Sequence, residues 1–91
     1  RRILLLREEH RTAVTEQLGR AAANGHRVLE SLYKMPIISV NDVAEMAGTT
    51  YQAANHLVAK LVEVGILQEI SGKKRNRVYD YSDYRKLFDD A

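Results

Sequence analysis

Lys73, Lys74, Arg75 and Arg77 place four positive charges within one short segment that contains no acidic residue. Such side chains make Coulombic contacts to phosphate, a task that tolerates loose geometry. Upstream, Thr49, Thr50, Tyr51, Gln52, Asn55 and His56 form a second cluster, every member of which can hydrogen-bond. Gln and Asn can meet the edge of adenine with paired hydrogen bonds, so this second cluster holds side chains suited to reading bases. Each set also has a plainer use. Lysines and arginines guard an exposed sheet edge against pairing with a foreign strand, and a polar helix face behind a threonine cap can simply be solvated.

Other chemistry has little support. His10, His26 and His56 are far apart and match no metal-ligand spacing. Glu8-Glu9-His10 resembles part of a zinc-protease motif, but the paired histidine would fall at Leu6. No glycine-rich phosphate loop and no nucleophile elbow is present, so the chain is expected to catalyse nothing by itself and to hold no metal or cofactor. With no cysteine, a disulfide framework and a thiolate site are both excluded, which fits a cytoplasmic location. The apolar run Ile3–Leu6 is far too short to span a bilayer and lacks the pattern of a signal peptide, so no membrane association is expected.

The elements that must position the two clusters follow from hydrophobic period and punctuation. Arg2 to about Ala23 lacks proline and reads as a long helix, with Leu6, Val14, Leu18 and Ala21 on one face. Asn24-Gly25 is expected to break it, and a second helix to run from about His26 to Tyr33 until Pro36 forbids continuation. Ile37-Ile38-Ser39 reads as extended, a possible third strand. Ser39 or Asn41 can cap the next helix, carried by Val40, Val43, Ala44 and Ala47 and stopped at Gly48. From Thr50, the positions Ala54, Leu57, Val58, Leu61 and Val62 form a core stripe, and Gly65 ends that helix. Two strand-like stretches, Ile66–Ser71 and Val78–Tyr81, then flank the basic turn as a hairpin, with Asn76 suited to the turn geometry. Tyr79, Tyr81 and Tyr84 read as packing residues with their hydroxyls at the rim. A last short helix over Ser82–Asp89 should turn Leu87 and Phe88 inward.

The order helix, turn, helix, hairpin predicts an α+β, mainly α fold. It is a winged helix-turn-helix: a three-helix core with a two- or three-stranded wing, preceded by a long N-terminal helix and followed by a short C-terminal one. In helix-turn-helix docking the start of the second helix enters the major groove. Double-stranded DNA is therefore the expected partner, with Thr50, Tyr51, Gln52, Asn55 and His56 on bases and Thr49, Lys73, Lys74, Arg75 and Arg77 on phosphate. The 91 residues, 45% of them hydrophobic, suit one small domain. Formal net charge is only +2, so the distribution matters more than the total: a basic turn beside an acidic tail of Asp80, Asp83, Asp89 and Asp90. Ile3, Leu4 and Leu5 spread around their helix and call for cover, either from a missing upstream segment or from a second copy in a homodimer.

Residues 40–84 resemble the winged-helix domain found at the C-terminus of many Fic-family (Fic/DOC) proteins. The likeness lies in Gly65-Ile66-Leu67, Ser71-Gly72, the Arg75-Asn76-Arg77 turn and Tyr79, Tyr81 and Tyr84. It implies that residues 24–91 are this winged-helix domain and residues 1–23 a helical connection from an upstream Fic catalytic domain. The parent protein would transfer AMP from ATP to a hydroxyl of a target protein, with ATP and a divalent metal in the upstream domain. The His-Pro-Phe and Gly-Asn-Gly-Arg elements of that chemistry are absent here, so no catalytic residue is carried over. Ala53 departs from the family, which often has Thr there. Two other readings stand beside it: a protein-interaction or dimerisation module regulating the Fic enzyme, and a stand-alone winged-helix transcriptional regulator.

Overall fold

A computed structural model describes residues 1–89 of the chain. The expected tail residue Asp90 lies outside the described residues. The fold is α+β and mainly helical: α1 (Arg2–Gln17), α2 (Ala22–Leu32), β1 (Ile37–Ser39), α3 (Val40–Ala47), α4 (Tyr51–Glu63), β2 (Gln68–Glu69), β3 (Val78–Asp80) and α5 (Ser82–Asp89). Among the described residues no helix is long and apolar enough to cross a membrane. The three short strands make one antiparallel sheet in the order β1-β3-β2, so the last strand in sequence is the central one. Ile38 faces Tyr79 on one side of it and Glu69 faces Tyr79 on the other.

The caps explain where α3 and α4 start. Ser39 accepts from the Asp42 N–H while the Asp42 carboxylate accepts from the Ser39 N–H, a reciprocal capping box. Thr50 caps α4 by accepting from the Ala53 N–H. Between them Gly48 takes a left-handed conformation, at φ +64°, that turns the chain sharply. Val40, Val43 and Ala47 of α3 then meet Ala54, Leu57, Val58 and Leu61 of α4 in one core with Val28, Leu29 and Leu32 of α2.

Several expectations need correction. The long first helix stops at Gln17, and a 3₁₀ turn over Gly19–Ala21 leads into α2, so the break falls at Gly19. Asn24 and Gly25 lie inside α2, and Gly25 is there for closeness instead of turning. A Cβ on Gly25 would stand 2.6 Å from Leu18 Cδ2 and 2.9 Å from Val14 Cγ1, closer than carbon atoms pack. Val62 is exposed, because the buried arc of α4 is centred between Ala54 and Leu61 and ends before it. Phe88 is also exposed, its edge resting on buried Tyr84. Ile66 and Leu67 are core residues but not strand: both their N–H groups fold back to the Leu61 carbonyl, which removes them from the ladder.

Tyr81 is fully buried, with its hydroxyl in the core and not at the rim. Its ring stacks on Tyr84 with centroids 5.2 Å apart and leans on Tyr33. The hydroxyl lies 2.6 Å from Nδ1 of His10, a buried residue of α1. Burial raises the Tyr81 pKa, so the phenol keeps its proton. Burial is also the main influence on His10, lowering its pKa against the opposing pull of Asp83 and Glu9. With Nε2 3.9 Å from the Asp83 carboxylate, a neutral imidazole protonated at Nε2 leaves Nδ1 to accept from the phenol. This pair ties the N-terminal helix to the end of the sheet.

Candidate nucleic-acid interface

The sequence brings the two clusters together through the start of α4 and the loop of residues 70–77. Gln52, Asn55 and His56 are exposed on the outer face of α4. Thr50 is exposed as well, with its hydroxyl oxygen engaged by the cap. Thr49 is half-buried, its N–H donating to the Ala44 carbonyl. Tyr51 does more than face outward: its hydroxyl accepts from the Asn76 N–H at 2.6 Å. The Arg75 guanidinium stands over the same ring, 5.7 Å from its centroid, a cation–π arrangement.

Asn76 is the second anchor. It adopts φ +46°, a left-handed conformation that asparagine tolerates better than most residues. Its side-chain carbonyl accepts from the Asn41 N–H at 2.9 Å, in the first turn of α3. The loop is thus pinned at one residue to the first turns of both helices. Its base is braced by Glu69 and Ser71. Glu69 accepts from the Gly72 N–H, and Ser71 Oγ accepts from the N–H groups of Lys73 and Val78.

This bracing sorts the four basic residues. All are exposed. Arg77 turns back on the loop, with Nε donating to the Lys73 carbonyl at 2.7 Å and a terminal nitrogen 3.7 Å from the Glu69 carboxylate. Lys73 and Lys74 make no ion pair with a described residue, and Arg75 leans on Tyr51. Three cations therefore face solvent from a loop held at Asn76, while the fourth helps to hold it. The sequence points to Asn41 only as a cap candidate, a place that Ser39 takes, and to Ser71 only through the family likeness; their bracing of the loop, and that of Glu69, is not read from it. Asn41 and Asn76 are 35 residues apart, and no local pattern signals their pairing.

The three histidines remain separate, as His26 meets Thr15 at 2.9 Å and His10 meets Tyr81. His56 is the only one on the outer face of α4. The surface as a whole offers hydrogen-bonding side chains on α4 and exposed positive charge on the loop tied to it.

Tyr51→Phe should test the pin. It removes the acceptor for a half-buried N–H and should cost about 1–2 kcal/mol locally, the penalty of an unsatisfied donor. Amide exchange at Asn76 and its loop neighbours should speed up about tenfold or more, since about 1.4 kcal/mol is a factor of ten, while the α4 amides keep wild-type protection. Unchanged exchange at Asn76 would show that the loop is held by something else. Comparison of the chain with protein-family models, with curated proteins and with solved structures finds no match.

Proposed function

We propose that the chain is a winged helix-turn-helix module that binds double-stranded DNA, with α4 as the helix that enters the major groove and the loop of residues 70–77 as the wing. The observation that supports this reading most is the hydrogen bond from Asn76 to Tyr51. It ties the loop that carries the exposed cations Lys73, Lys74 and Arg75 to the first turn of α4, the helix that bears the exposed Gln52, Asn55 and His56, and duplex recognition uses both kinds of side chain. A solvated helix face and a guarded sheet edge would each be adequate alone, but neither needs the loop to be pinned to the helix.

Within this reading Gln52, Asn55 and His56 take base contacts and Lys73, Lys74 and Arg75 take phosphate. Tyr51 and Thr50 support them from the first turn of α4, and Arg77 supports them from within the loop. The resemblance to the C-terminal domains of Fic-family proteins extends the proposal to an accessory domain of a protein adenylyltransferase. Selection from a random duplex pool tests the DNA reading. The wild-type chain should enrich a sequence, and Gln52→Ala should reduce discrimination by about 1–3 kcal/mol with nonspecific binding little changed. Failure to enrich any sequence would count against it.

A protein-contact reading is favoured by a different place. Leu4 and Leu5 of α1 are 65% and 57% exposed, next to half-buried Ile3 and Leu6. Their cover is proposed to be an upstream Fic-type domain or a second copy of the chain, compatible with DNA binding through α4.

A further inference from the structure

Tyr51 and Lys60 are nine residues apart, which sets their side chains about 180° apart around α4. The buried arc lies between them on one side and the exposed arc, with Gln52 and Ala59, on the other. The two edges of the exposed arc meet different surroundings. On the Tyr51 edge stands the basic loop. On the Lys60 edge is a hollow of about 280 Å³ between α4 and the beginning of α2. It is lined by the apolar Ala21, Ala53 and Leu57 and by the polar Asn24, Thr49, His56 and Lys60. Lys60 is the one charged residue of that lining, no carboxylate belongs to it, and Lys60 makes no ion pair with a described residue.

A duplex presents two backbones, one on each wall of a major groove about 12 Å wide. A helix with its side chains is about 10–12 Å across, so it fills the groove and both of its edges come within reach of a wall. The loop can serve only the wall on the Tyr51 side. We infer that Lys60, with Asn24 and Thr49, holds the sugar–phosphate backbone of the opposite strand in the hollow, so that the module grips both walls of the groove. The inference rests on the duplex-binding reading given above. The chemistry of the hollow fits such an occupant: the ammonium of Lys60, the amide of Asn24 and the hydroxyl of Thr49 can all donate to phosphate oxygens, and the apolar lining of Ala21, Ala53 and Leu57 suits the carbon face of deoxyribose. Neutral polar side chains share phosphate contacts with cations in many protein–DNA interfaces. His56, lining the hollow from the exposed arc, then stands between the bases and the second backbone.

The test is hydroxyl-radical footprinting of each strand of a duplex selected by the wild-type chain, together with affinity measured across a salt series. Wild type should protect both strands. Lys60→Ala combined with Asn24→Ala should lose protection on one strand only, and the log–log salt slope should fall by about 0.9 for the lost cation. Lys73→Ala combined with Lys74→Ala should lose protection on the other strand. The inference is overturned if the Lys60/Asn24 variant, melting like wild type, keeps both footprints and the wild-type slope while the loop variant loses its strand. Wild-type chain that binds no duplex at all would overturn the duplex reading and this inference with it.

Discussion

Replacing Lys73, Lys74 and Arg75 together by Ala should weaken binding to every duplex sequence and flatten its salt dependence. Each lost phosphate contact removes about 0.9 from the log–log slope, so the triple variant should lose about 2.7. Arg77 is left in place because its guanidinium braces the loop through the Lys73 carbonyl and the Glu69 carboxylate. Arg77→Ala should therefore act partly through loop order, with faster amide exchange in residues 70–77 as its signature. The three solvent-facing cations make no comparable brace, so the triple variant should melt close to wild type. A triple variant with wild-type salt slope would remove the loop from the interface and return its charges to the guarding of a sheet edge.

Tyr81→Ala should be the most destabilising single change in the chain. The ring is fully buried, stacked on Tyr84 and in contact with Tyr33, and truncating a buried aromatic costs about 3–5 kcal/mol. Its loss also leaves Nδ1 of His10 without the donor it now faces. Domains of this size have only about 5–15 kcal/mol in total, so a large part of the stability would go and the melting temperature should fall by more than about 10 °C. Tyr81→Phe separates the two contributions, since it keeps the ring and removes only the hydroxyl. Thermal unfolding followed by circular dichroism distinguishes them. A Tyr81→Ala variant that melts within a few degrees of wild type would mean that the aromatic cluster is not part of the cooperative core.

The helices from Val40 to Glu63 were legible because every signal there agrees: capping residues, a 3.6-residue apolar period and a glycine at the turn. The glycines nearer the N-terminus were read in the wrong order. Gly25 is small and Gly19 is permissive, and the letter is the same for both uses. Only the approach of Val14 and Leu18 shows which is which. The residue types of the candidate site could be read locally, but their commitments could not. That Arg77 belongs to the loop, that Tyr51 is bonded to Asn76, and that His10 meets Tyr81 all depend on contacts between distant segments. Such contacts leave no periodic trace. Val62 and Phe88 show the reverse limit, since a regular period continues to an element's edge whether or not a neighbour is there to cover it.

The central place of β3 also bears on the order in which the chain can fold. Pairing Ile38 with Tyr79 closes about forty residues of chain, an entropic cost that α3 and α4, contacting across a three-residue turn, do not face. Local helix contacts form quickly and long-range strand pairs slowly. The helix pair should therefore assemble first and present the first turns of α3 and α4 as a template, onto which β3 arrives late and brings its loop with it. The Asn76 bonds to Asn41 and Tyr51 can close only at that stage. The basic loop is in this sense a latecomer to the fold.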